Sequence, residues 1–425
     1  MKVKSFLIFS LILSFVFNLA AQDVKEPKEQ KFEFTSSWKK ALQAAKSDNK
    51  VIFIQFMTDE CPPCNRLKNE IWTNDKLAII YSDYFILLRP KIGSKDAKFL
   101  EKKYKIHSYP ASIFIDKNTK LIHKYLGFTS SDIMFEMAKN VNNGENTLVF
   151  FEKIMKNKGE NDDPFMLYEY ANALMHAGED YKKIAKKYFR TQNGEDLRSS
   201  QNLTAIMQFA DDMYSREFYF LARNIDSYEG EQFDRNQIIM KVEDVISNSL
   251  MKTLLASPEL SLDDTLNSVL NYFDLNIKEL VRSRMEMDYF DIVKHDNNRY
   301  FQAMEVYMST HLAILSPMEI ADRSEQVLLD CKNKNIISNA VLWTNEAMMR
   351  FDSRSNELLI VNIKLLAKDG RSQEANDVLE QLFNQWVEAG ISDEEAMRRR
   401  EELVNYIDSQ MGQMSDDGNE LEIKK

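Results

Sequence analysis

The sequence predicts a small α/β domain joined to a large all-α domain, and three observations carry that reading. Only 11 of the 425 residues are Gly and 8 are Pro, whereas average usage would supply about 30 and about 21, so turns are scarce and helix dominates. Four of the prolines, Pro62, Pro63, Pro90 and Pro110, lie close together, and only Pro258 and Pro317 come after Pro164. The hydrophobic pattern also changes near residue 145: helices and short β-branched runs alternate before it, and amphipathic helix fills most of the chain after it. The α/β domain is expected over 31–145 and the helical domain over 148–410.

Hydrophobic residues at 44% and charged residues at 28% describe a folded globular chain rather than a disordered one. The 55 Lys and Arg against 66 Asp and Glu give a net charge of −11. That balance opposes a sequence-independent grip on phosphate backbones, so no nucleic-acid partner is expected.

The chain opens with Met1-Lys2-Val3-Lys4-Ser5, an apolar run from Phe6 to Leu19, and then Ala20-Ala21-Gln22. A basic start, a short apolar segment and small residues at the end read as a secretory signal peptide, 1–21. The run is interrupted by Ser10, Ser14 and Asn18 and is shorter than the ~20 apolar residues of a membrane-spanning helix. A flexible lead-in is expected over 22–30, and the product is expected to be soluble and periplasmic.

Within the α/β domain, Ser36 or Ser37 caps a helix with Trp38, Ala41, Leu42 and Ala45 on one face. Val51 to Phe56 is β-branched and aromatic, the pattern of a buried central strand. A helix opens after Cys61, a second strand covers Tyr84 to Leu88, and a helix covers Asp96 to Tyr104. Ser112 to Ile115 and Leu121 to Leu126 form a hairpin, and Thr129-x-x-Asp132 offers a capping box for a helix from Ser131 to Val141. The predicted order is helix, strand, helix, strand, helix, strand, strand, helix.

The chemistry sits where the first strand gives way to a helix, in Cys61-Pro62-Pro63-Cys64. Cysteines three apart at a helix start can close a disulfide ring with little backbone movement. Cys61 falls at the N-terminus, where unpaired N–H groups and the macrodipole favour a thiolate. Cys64, one turn in, can resolve a mixed disulfide formed on Cys61. Pro63 fits the first turn, where its missing N–H is no loss.

The chain here resembles the thioredoxin superfamily, specifically the extracytoplasmic thioredoxin-like domains of thiol:disulfide interchange proteins. The matching residues are the strand Val51 to Phe56, the Cys61-Pro62-Pro63-Cys64 helix start, Tyr109-Pro110 before the strand Ala111 to Ile115, and Gly127 after the last strand. The resemblance covers about a quarter of the chain. It implies a central mixed sheet flanked by helices, a redox-active Cys61–Cys64 disulfide with no further cofactor, and a cis Tyr109-Pro110 bond facing it. It also implies that the backbone beside Pro110 pairs with the extended chain of a substrate.

Three positions depart from the family pattern. Glu60, preceded by Asp59, stands immediately before Cys61, where many relatives carry Trp, and two carboxylates there oppose its thiolate. Gln55 replaces the buried acid that thioredoxins use as a proton acceptor, so resolution would draw on water or on a substrate group. Pro62, Pro63, Gln55, Asp59 and Glu60 are therefore the expected modulators of the pair. A structural disulfide in a redox-inactive module is the alternative reading of the same cysteines.

Zinc needs four ligands, and Cys331 stands alone far along the chain. Haem attachment needs His directly after Cys64, where Asn65 stands. No metal is expected. His107 is a candidate for proton transfer at the rim, and Cys331, at a buried helical spacing, reads as a core thiol.

In the helical half, Leu167, Tyr170, Ala171, Leu174 and Met175 share one face, as do Ala375, Val378, Leu379, Leu382, Phe383 and Trp386. Helices around Ala340 to Met348 and Leu358 to Ala367, a turn at Gly370 and a third helix from Gln373 resemble the tetratricopeptide repeat. An array of this kind would bind a substrate or partner protein. An acidic disordered tail is expected over 411–425.

The expected function is a periplasmic thiol-disulfide oxidoreductase acting on extracytoplasmic proteins with thiols or disulfides, with a membrane redox donor as a further partner. The alternative is a helical adaptor or chaperone-like binding protein whose thioredoxin-like module is redox-inactive.

Overall fold

The computed structural model describes residues 32–58, 61–156, 163–228, 232–273, 277–351 and 355–422. The expected signal segment and lead-in, together with Asp59 and Glu60, lie outside them. Two compact units emerge, residues 1–191 and 192–425.

The first unit is built on a four-stranded mixed sheet. In chain order its elements are α1 (Trp38–Asp48), β1 (Val51–Phe56), α2 (Pro62–Glu70), α3 (Asp75–Tyr84), β2 (Phe85–Leu88), α4 (Lys95–Tyr104), β3 (Ala111–Ile115), β4 (Leu121–Leu126) and α5 (Ser131–Asn143). The strand order is β2-β1-β3-β4, with β1 parallel to β2 and antiparallel to β3. As expected, β1 is central. Its Ile52, Ile54 and Phe56 pack with Ala41, Ala45, Leu100 and Tyr104 of α1 and α4. Phe53 points the other way, to Leu67, Tyr81 and Met134 of α2, α3 and α5. Burial on both faces is what a continuous apolar strand requires, and each fully buried large side chain contributes roughly 1.5–3 kcal/mol.

Two local expectations are corrected. One helix was predicted between the first two strands, and there are two, because the Asn74 side chain accepts from Lys76 and Leu77 N–H and starts α3 afresh. The cap of α5 is Ser130, accepting from Ile133 N–H, whereas Thr129 is buried. Ser37 caps α1 as one of the two predicted candidates.

The helical half does not begin a separate unit at 148. Helices α6 (Leu148–Lys156), α7 (Pro164–His176) and α8 (Lys182–Thr191) belong to the first unit. Helices α6 and α7 pack against β4, which is otherwise an unpaired sheet edge. Leu121 joins Leu148, Phe151, Ala173 and Ala177, the Tyr125 ring stacks on His176 at 4.6 Å, and the buried Lys124 ammonium meets Glu179 at 2.7 Å.

The second unit is all helix: α9 (Ser200–Phe209), α10 (Arg216–Arg223), α11 (Arg235–Ala256), α12 (Leu262–Phe273), α13 (Lys278–Asp288), α14 (Asn297–His311), α15 (Pro317–Asp330), α16 (Lys334–Arg350), α17 (Asn356–Lys368), α18 (Ser372–Glu388) and α19 (Asp393–Glu422). From α15 on, each helix packs on the next, and α17 also packs on α15 and α19. The aromatic and Met residues of α14 are core, with Tyr300, Phe301, Met304, Tyr307 and Met308 all buried. Among them runs a buried polar pair, His311 Nε2 to Glu243 Oε1 at 2.8 Å. Pro317 is at the N-terminus of α15 behind a Ser316–Glu319 capping box, and Pro258 comes just after the end of α11, so both mark helix boundaries. Helix α19 runs on through 411–422.

The covered sheet edge makes two predictions. Removing the anion in Glu179→Ala strands the Lys124 ammonium and should destabilise by about 2–3 kcal/mol, below the full penalty of a broken buried pair because Glu179 stays partly hydrated. A denaturant titration checks this, and adding Lys124→Met should recover much of the loss. His123 on β4 is buried, and that burial, with His176 nearby, pushes its pKa down to about 4. The unfolded chain therefore binds a proton that the folded chain refuses between about pH 6.5 and 4. Stability should be full above that window and fall through it by about 3 kcal/mol as pH drops. Thermal melts across it should show this slope reduced in His123→Leu.

Candidate redox site

The site is assembled by strand register. Phe56, the last residue of β1, pairs with Ala111, the first of β3, so the chain leaving β1 and the chain entering β3 run side by side at one end of the two central strands. Cys61 lies just beyond the first of these and Tyr109-Pro110 precedes the second. The Tyr109-Pro110 peptide is cis, as the resemblance implied.

Cys61 is the N-cap of α2, in extended conformation, with Pro62 and Pro63 in the first turn. Cys61 and Cys64 are joined in a disulfide with their Cα atoms 5.2 Å apart. Cys61 is half-buried and Cys64 fully buried, so an incoming sulfur reaches Cys61 first. The Cys64 N–H donates to Cys61 Sγ at 3.2 Å, and the same helix-end donor would stabilise a Cys61 thiolate. On its other side, Cys61 Sγ lies 3.6 Å from the Tyr109 carbonyl oxygen.

It is therefore the Tyr109 backbone, not its phenol, that approaches the disulfide. The phenol turns away and donates to Glu101 of α4 at 2.6 Å, and burial together with that carboxylate pushes its pKa up to about 12. The Pro110 carbonyl is occupied by the Gly127 N–H at 2.8 Å, while the Tyr109 peptide makes no backbone–backbone hydrogen bond among the described residues.

Gln55 is fully buried in β1, on the strand face shared with Phe53. Its amide donates to the Ala111 carbonyl at 3.2 Å, and its oxygen accepts from Ser112 Oγ at 3.0 Å. Gln55 is thus a hydrogen-bonded core amide that ties β1 to β3. Sequence reasoning placed Gln55 but missed Ser112 and Glu101, which hold Gln55 and Tyr109, because their partners are distant along the chain. His107 is exposed and no hydrogen bond ties it to the cysteines among the described residues. Cys331 is a buried free thiol in the second unit's core, as predicted, and burial raises its pKa. Among the described residues, no three His, Cys, Asp or Glu side chains are placed to hold a metal ion.

After reduction with dithiothreitol, iodoacetamide should modify Cys61 at least about tenfold faster than Cys64 in the folded chain, read by peptide mass spectrometry. Cys331 should react only on unfolding. Equal rates at Cys61 and Cys64 would contradict the division of roles drawn from their burial.

Residues 38–142 match the Thioredoxin-like domain family. Among solved structures, a candidate disulphide-isomerase from Bacteroides thetaiotaomicron is 25% identical, with 28% of this chain and 96% of that one covered and a TM-score of 0.25. A thioredoxin from Thermus thermophilus is 13% identical over 27% of this chain and 87% of that one, TM-score 0.24. A DsbH oxidoreductase is 16% identical over 29% and 94%, TM-score 0.24. No curated protein matches. With the central mixed sheet, the cysteine pair at the start of α2 and the cis proline opposite it, residues 38–142 are a thioredoxin-like domain carried by a chain whose remainder is mostly helical.

Proposed function

We propose that this chain is an exported thiol-disulfide oxidoreductase that exchanges Cys61–Cys64 with thiols or disulfides of extracytoplasmic proteins. One observation carries the reading: a half-buried Cys61 at a helix N-terminus, bonded to a buried Cys64, with the Tyr109 carbonyl oxygen 3.6 Å from its sulfur.

Starting from the disulfide, a substrate thiolate attacks Cys61 Sγ, and the Cys61–Cys64 bond breaks with Cys64 leaving as a thiolate. The second substrate thiolate then attacks the substrate sulfur of the mixed disulfide and expels Cys61. The substrate dithiol becomes a disulfide, the protein disulfide becomes a dithiol, and two electrons and two protons change hands. Run backwards, the same steps reduce a substrate disulfide, with Cys61 as nucleophile and Cys64 resolving. A substrate segment in extended conformation pairs with the Tyr109 peptide, which leaves its sulfur beside Cys61. Gln55, already bonded to Ala111 and Ser112, takes no proton, so Cys64 exchanges its proton with water or with a substrate group.

Export is supported by the basic, apolar and small-residue order of 1–21. Among the described residues no helix is long and apolar enough to cross a membrane. The stacked helices α15 to α19 are tetratricopeptide-like and serve to hold a substrate or partner, with a membrane redox donor renewing the cysteine pair. The missing proton acceptor at Gln55 favours a second reading, a helical adaptor or chaperone-like binding protein whose thioredoxin-like module is inert. Under that reading a Cys61→Ser, Cys64→Ser double variant would keep its cellular role.

In the first reading, Cys64→Ser should accumulate mixed disulfides with exported proteins that dithiothreitol releases, and the double variant should accumulate none. Non-reducing gels with mass spectrometry read this out. A Cys64→Ser chain that traps nothing while Cys61 still alkylates would sink the exchange mechanism.

A further inference from the structure

A cavity of about 370 Å³ lies within the first unit, away from the cysteine pair, between β4, α5, α6 and α7. Its size falls in the range of small-ligand sites, which run from about 300 to 1,000 Å³. Its floor is the β4 face that carries His123 and Tyr125, and one wall is Glu169, Asn172 and His176 of α7.

The polar groups set into this largely apolar lining are unusual. His123 is only 8% exposed, and its Nδ1 has no hydrogen-bond partner among the described residues. Asn172 Oδ1, on the facing helix, is likewise buried and unpartnered. A buried polar atom without a partner typically costs about 1–3 kcal/mol, and here two of them border one cavity. The Glu169 carboxylate forms no ion pair or hydrogen bond among the described residues, and burial raises its pKa. At the rim stand Asp132 and Glu136, both exposed, the latter only loosely paired with Lys139 at 3.9 Å.

The charge balance selects the ligand. Three carboxylates line the cavity and no Lys or Arg does. The two imidazoles do not offset them, because burial holds both below the ordinary histidine pKa. The wall therefore offers acceptors and negative charge, and the stacked Tyr125 and His176 rings add an aromatic surface suited to a cation. A metal ion does not fit, since no three ligating side chains converge. An anion would meet only carboxylates.

We infer that this cavity binds an ammonium or guanidinium group on a short apolar stem, which donates to Glu169, Asn172 Oδ1 and His123 and lies against the Tyr125–His176 rings. Phe151 and Ala173 receive the stem. The site is independent of the thiol chemistry, because none of its residues touches Cys61, Cys64 or Tyr109 among the contacts described.

The test is a titration of the full chain with butylguanidinium, monitored by the imidazole NMR signals of His123 and His176 and by calorimetry. Saturable shifts of both signals are expected, with n-butylurea, the neutral isostere, binding at least about tenfold more weakly. Glu169→Gln should weaken butylguanidinium by about tenfold or more. Glu136→Gln at the exposed rim, which leaves the interior unchanged, should weaken it by a smaller factor. Thermal melts of both variants establish that they are folded. An acetylated Arg tripeptide amide separates the sources: binding equal to butylguanidinium assigns a protein side chain, and weaker binding assigns a free small-molecule cation. No shift at millimolar butylguanidinium, equal binding of butylurea, or unchanged affinity in both folded carboxamide variants would overturn the inference.

Discussion

The central constraint on this molecule is the pairing of β1 on both edges, with β2 in parallel and β3 antiparallel. A strand hydrogen-bonded on both sides and covered on both faces cannot shift by one residue without turning its core side chains to the wrong layer. Its register therefore fixes the two segments that matter chemically. Because Phe56 lies opposite Ala111, the start of α2 and the Tyr109-Pro110 peptide are brought to the same end of the two central strands, and Cys61 has a backbone carbonyl beside its sulfur. The chemistry is local, but its geometry is inherited from the sheet. Gln55 shows how closely the two are joined: where related domains place a proton acceptor, this chain has an amide that serves the β1–β3 junction.

One side of the sheet is governed by an edge. β4 has one strand neighbour, β3, and an uncovered edge invites pairing with other chains. Helices α6 and α7 pack on that strand, and polar side chains on both of its faces are buried. Lys124 becomes an internal cation matched by Glu179, and His123 becomes a neutral imidazole beside the cavity. Burial by a neighbouring helix, rather than anything in the residues' own segment, changes the electrostatic character of both.

The second unit obeys a different rule. Its helices are amphipathic, and the apolar faces of α14 to α19 merge into one core that holds Cys331, Trp343 and Trp386. Elsewhere in the unit's interior, buried polar pairs such as Glu243 with His311, and Asn362 Nδ2 with Thr344 Oγ1 at 2.7 Å, are tolerated because a buried polar group with a partner costs far less than one without.

The sequence by itself determined the elements whose causes are local. The apolar run 51–56, the caps Ser37 and Ser316, Pro317 at a helix start and the cysteines flanking two prolines all act within a few residues of themselves, so strand, helix ends and redox pair were legible. The resemblance supplied the cis bond at Pro110. Tertiary structure decided the rest: that α6 to α8 belong with the sheet, that Asn74 and not a continuous helix comes after α2, that Tyr109 offers its backbone while Glu101 takes its phenol, and that His123 and Asn172 meet across a cavity. Each of these depends on a partner far away in the chain. Periodicity reports which face of an element is apolar but not which other element will cover it, and desolvation depends on the covering.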